Sequence, residues 1–328
     1  MPSDANRELL SLEAQLEADP SSEPLREEIL FAYFTAESVG HPRRIEHITE
    51  YVRRFPRNPV ARSPLVSVDP ATYPDAFGTV EREWIQHQHD HPNDPQIARG
   101  FASFVASADP ARAAMIMEEA LLANPEDAGL WLDLGRARAE PRLRLHALQK
   151  ARALGASQPN LLPWIARAAI ESGELAVAEQ VGAELLLLVQ QARSIYGEKL
   201  DWREHGQALW QKASAACDDH TMAQALVRAI GDHANQKHWA HTTLGVLALR
   251  RGDIKAASHH LLESSAVVGE PRLSSYGPSF LLARELCQHG EWDVVGEYLR
   301  NCETFWNDDR LQGWVQAVEQ RKVPNFAG

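Results

Sequence analysis

Helix-breaking pairs recur along this chain at an almost fixed interval. Asn58-Pro59, Pro92-Asn93, Asn124-Pro125 and Pro159-Asn160 follow one another roughly every 34 residues. Between them lies a further turn, as at Asp109-Pro110. A unit this short cannot bury its own apolar face. It becomes stable only when neighbours stack and share one continuous core.

Inside the units the apolar spacing is helical, and strand-like alternation is almost absent. Leu130, Leu134 and Ala137 mark one helix face, and Ala113, Met117, Ala120 and Leu121 mark another. The remaining breaks carry stop-and-start residues: Asp19-Pro20, Gly40-His41-Pro42, Gly173-Glu174, Gly252-Asp253 and Gly290-Glu291. Proline just after a cap is tolerated because its missing N–H is one a helix leaves unpaired anyway. Glycine at a helix end supplies the left-handed backbone that closes the turn. The pattern predicts an all-α chain of helices about 12 residues long, joined by tight turns. No linker exceeds a turn, so residues 1–328 are expected to form a single stack.

These residues resemble the tetratricopeptide repeat (TPR) family. The clearest copy spans 128–160, with Trp131 opening the first helix, Leu134-Gly135 after it, Ala147 in the second helix and Pro159 ending the unit. Residues 94–127 keep Ala113, Ala120 and Asn124-Pro125 but lack the Leu-Gly pair. Leu244-Gly245, Gly252-Asp253 and Ala257 repeat the pattern, as do Leu282-Ala283, Gly290-Glu291 and Val295. The resemblance implies a right-handed superhelical solenoid of antiparallel helix hairpins with a C-terminal capping helix. Residues 1–93 read as divergent hairpins, 94–189 and 237–306 as repeats, 190–236 as irregular helices and 307–328 as the cap. Prolines 59, 64, 70 and 74 predict a short or distorted first helix after Asn58. The last hundred residues also resemble a C-terminal block of bacterial repeat proteins, through His238, His241, Ser275-Tyr276-Gly277-Pro278, Phe305-Trp306 and Pro324-Asn325-Phe326.

Charge narrows the partners. With 33 Lys+Arg against 45 Asp+Glu the net charge is -12, which argues against a general nucleic-acid surface and leaves room only for a local basic stripe. No apolar run approaches the roughly 20 residues that cross a bilayer. The N-terminus lacks a secretory pattern, and the three cysteines form no CxxC pair. The expected setting is the cytoplasm, with no cofactor, no nucleic acid and no membrane insertion.

Two histidine clusters are the metal candidates. His87, His89 and His91 lie near Asp90 and Asp94, but residues two apart on a helix diverge. His233, His238 and His241 form the second, with His259 and His260 on the following helix. A metal-dependent enzyme on that second cluster is one alternative function. The Cys217–His220 stretch adds two carboxylates that would raise a thiol pKa. No GxSxG, P-loop or HExxH pattern occurs.

The resemblance also implies a concave surface lined by the first helices. Residues just after the small position would point into it: Arg136, Arg167 and Arg284, with Val246 at the fourth place and Arg250 on the same face. Trp239 and Phe280 would stand beside them. Arginine forks suit carboxylates and phosphates. The leading expectation is a non-enzymatic scaffold that holds a peptide or partner helix, acidic in character, in the groove. An oligomeric assembly factor using residues 190–236 is a further alternative. The family's chaperone-tail mode, which relies on lysines and asparagines, is not expected, because no lysine precedes Lys150.

Overall fold

A computed structural model describes residues 4–35, 41–158, 160–196, 233–267 and 271–326. Every regular element among them is helical, as the apolar spacing predicts. The chain divides into two compact units, Met1–Ala156 and Ser157–Gly328.

The first unit contains α1 (Asp4–Ala18), α2 (Glu23–Thr35), α3 (Pro42–Arg54), α4 (Pro74–Asp90), α5 (Pro95–Val105), α6 (Pro110–Ala123), α7 (Ala128–Ala137) and α8 (Pro141–Ala153). Each helix packs on the next in sequence, so the hairpins stack. Their starts are fixed locally. Asp94, Asp109 and Asp127 each accept backbone N–H groups from the first turn that follows, satisfying donors that helix geometry leaves unpaired. Buried side chains from Leu30 on α2 to Ala147 on α8 form one continuous cluster.

The proline-rich stretch gives two 3-10 turns, Pro59–Arg62 and Pro64–Val66, where a first helix would stand. Asn58 and Ser63 cap them. Such short turns leave carbonyls without intrahelical partners. The fully buried Arg44 of α3 fills that need, donating from Nη2 to the carbonyls of Leu65 (2.9 Å) and Ser67 (3.1 Å).

The second unit contains α9 (Leu161–Ser172), α10 (Leu175–Tyr196), α11 (His233–Arg250), α12 (Ile254–Ser265), α13 (Pro271–Tyr276), α14 (Leu281–Gln288), α15 (Trp292–Cys302) and α16 (Arg310–Glu319). The turns that end α11 and α14 use Gly252 and Gly290 at φ of 80° and 83°, a backbone that residues with a Cβ rarely adopt. Gly135 and Gly245 are the close-approach positions. A Cβ on Gly135 would stand 2.7 Å from Leu148 of α8, and one on Gly245 would stand 3.0 Å from the Cβ of His260 on α12. The final helix, α16, buries Leu311, Trp314 and Val318. Of the segment 190–236, residues 197–232 lie outside the described residues, and with them the Cys217–His220 stretch.

Candidate binding groove

A groove of about 540 Å³ opens in the first unit where the proline-rich turn, α5 and α7 lie side by side. Pro59, Arg62 and Ser63 form one wall, Arg99, Ser103 and Ala106 the middle, and Asp133, Arg136 and Ala137 the other wall; Met117 of α6 also lines it. The Ser103 hydroxyl donates to the Arg62 carbonyl at 3.2 Å, tying α5 to the 3-10 turn. Residues one repeat apart meet here, because equivalent positions in stacked hairpins face the same side. Arg99 donates from Nε to Asp133 Oδ2 at 2.7 Å, across 34 residues of sequence.

Three guanidinium groups share this groove with one carboxylate among its lining residues. Asp133 lies between Arg99 and Arg136, whose Nη1 is 3.7 Å away. The Arg99 guanidinium rests against Gly129, where a Cβ would come within 2.6 Å of its Cζ. Arg62 is half-buried and makes no ion pair among the described residues. Burial and the nearby Arg99 charge push its pKa below the ordinary arginine value, against the pull of Asp133 and Asp127.

The structure distributes the sequence candidates unevenly. Arg136 lies in this groove. Arg167, Arg250 and Arg284 belong to the second unit, where Arg167 donates to Glu171 (2.8 Å) and Arg250 to Glu285 (2.8 Å), while Arg284 is exposed. Val246, expected at the surface, is fully buried. Trp239 is half-buried with its ring edge-on to His238. The Phe280 ring sits in an aromatic cluster, stacked 5.2 Å from Phe326 and edge-on to Trp314 at 4.9 Å. That cluster joins α14 to the capping helix, so the ring packs with the cap.

Sequence reasoning missed Arg62 and Arg99. Arg62 falls in the proline-rich stretch where the repeat pattern fails, and α5 lacks the Leu-Gly pair that anchors the register. The legible signal was charge complementarity at one repeat's distance, Arg99 against Asp133.

The histidines do other work. His87 of α4 bonds to the Val52 carbonyl through Nε2 at 3.0 Å. His89 projects into solvent beside Asp90 (3.2 Å), and His91 is exposed. His238 is wholly buried, and its Nε2 accepts the Ser279 backbone N–H at 2.8 Å. Its Nδ1 therefore carries the proton and donates to the Ser264 carbonyl at 3.0 Å. Both nitrogens are used, so this ring has no free lone pair for a metal. Burial pushes its pKa down to about 4. His241 pairs with His260 instead, Nδ1 to Nδ1 at 3.0 Å. The His233 side chain lies outside the described ones. Among the described residues no three His, Cys, Asp or Glu side chains gather to hold an ion. No described helix is long and apolar enough to cross a membrane.

No protein-family profile matches the chain, and no curated protein does. Among solved structures it is similar to a human IFIT1 dimer with PPP-AAAA, at 10% identity over 97% of this chain and 78% of that one, with a TM-score of 0.28. A score that low carries no argument about fold or function.

Proposed function

We propose that this protein is a non-enzymatic interaction scaffold, a helical-repeat chain that holds an extended segment of a protein partner in the groove of its first unit. The observation that carries the reading is the arginine-lined groove itself, built from two first helices and the 3-10 turn that replaces a third. Its one lining carboxylate, Asp133, is held by Arg99, so no acid–base pair stands ready for chemistry. Ala106 and Ala137, both half-buried, supply small apolar surface, which lets a chain lie close. A cytoplasmic setting fits the buried free thiols of Cys287 and Cys302, whose pKa values burial raises to about 11 and 12.

The test is a photo-crosslinking side chain placed at Ala106 in the groove. One defined partner segment should be recovered by mass spectrometry, and Ser103→Trp should abolish its capture by filling the groove from an exposed position. Crosslinks scattered over many proteins and indifferent to Ser103→Trp would end the scaffold reading.

A further inference from the structure

We infer that the groove selects a phosphorylated segment, with the phosphomonoester seated among Arg62, Arg99 and Arg136. This rests on the scaffold reading above and names the ligand class of the same site.

Charge matching favours phosphate over carboxylate. Three arginines, Arg62, Arg99 and Arg136, line the groove with one carboxylate, Asp133, so its lining carries more positive than negative groups. A phosphomonoester carries about −1.5 to −2 at pH 7 and three strong acceptor oxygens for the three arginines, whereas a carboxylate brings one charge and two oxygens. Arg62 sharpens the argument. It is half-buried, close enough to Arg99 for the two like charges to oppose each other, and without an ion pair among the described residues. Removing a cation from water without a partner is unfavourable, and an arriving dianion relieves that cost. Arginine's planar fork fits phosphate oxygens in pairs. Because the whole chain is acidic, the attraction must come from these clustered arginines in their concave setting, where a local field is strongest.

The lining also favours a peptide over RNA as the carrier of that phosphate. Single-stranded RNA is held largely by stacking its bases on aromatic rings. No Phe, Tyr, Trp or His lines the groove. The small side chains of Ala106 and Ala137 offer instead room for an extended backbone to lie close.

The experiment is fluorescence polarisation of the full chain with labelled degenerate peptide pools that differ only at the central residue: phosphoserine, serine or glutamate. A 5′-phosphorylated random RNA pool is the fourth probe. The phosphoserine pool should bind at least tenfold more tightly than the other three, and added salt should weaken it. Arg62→Ala should lower its affinity tenfold or more without changing helicity, and Arg62→Lys should restore only part. If the glutamate pool binds equally well with the same Arg62 dependence, the phosphate inference falls and the scaffold stands. If RNA binds more tightly through the same arginines, both fall. If no pool binds, or Arg62→Ala changes nothing, the phosphate site is refuted while the crosslinking test still judges the scaffold.

Discussion

Single side chains in this protein show how position overrides residue type. A buried histidine invites a metal or catalytic reading, yet His238 uses one nitrogen to accept from Ser279 and the other to donate to Ser264. It pins α12 and the segment before α14 onto α11 in its neutral form. Its pKa falls from 6.5 to about 4 because burial penalises the charged ring. The unfolded chain therefore binds the proton more readily than the folded one. Stability is complete above about pH 6.5 and is lost as pH falls towards 4, by on the order of 3 kcal/mol for this residue. Urea unfolding at pH 7.5 and pH 5 should show about 2 kcal/mol of that loss. His238→Gln keeps a donor and an acceptor but cannot titrate, so it should reduce the slope, leaving the share of His241, whose pKa burial also pushes down to about 4. An unchanged slope would mean that the ring is not the titrating group. The sequence displayed the histidines but not their partners, since Ser264 and Ser279 lie 26 and 41 residues from His238.

At the scale of the element, much of the fold was legible because its signals are local. The caps at Asp94, Asp109 and Asp127 act within one turn, and so do the glycines at 252 and 290. The prolines that predicted a distorted helix after Asn58 leave two 3-10 turns there for the same local reason. Close packing of paired helices can be tested with two glycines of opposite expectation. Gly135 lies under Leu148, whose Cδ2 and Cγ would be 2.7 Å from an added Cβ and whose backbone nitrogen would be 3.2 Å from it. Gly135→Ala should force α7 and α8 apart and cost about 1–2 kcal/mol after the gain in helix propensity. Gly313 of α16 faces open space, so Gly313→Ala should add about 0.5–1 kcal/mol. Thermal melts of the two variants should shift in opposite directions; a matching shift would remove the packing role given to Gly135.

The groove belongs to the scale of the whole molecule, which is why the sequence revealed one of its three arginines and not the other two. Arg62, Arg99 and Arg136 come from three successive repeats and meet only when those repeats stack. No local pattern marks Arg62, because the turn that carries it has lost its helix. The apolar cluster beneath the groove runs from Leu30 to Ala147, and the smaller one under α1 joins Leu16, Ile29 and Tyr33, all within residues 1–156. In a repeat array stability is close to a sum of unit and neighbour terms, so a compact unit holding both of these clusters is expected to fold by itself. Residues 1–156 produced alone should therefore be helical by circular dichroism and melt in one cooperative transition. They should also bind the phosphoserine pool with an affinity within about threefold of the full chain, because every groove residue is present. A broad, non-cooperative melt would show that the first unit depends on the rest of the chain. A cooperative melt with lost binding would move the site out of this groove.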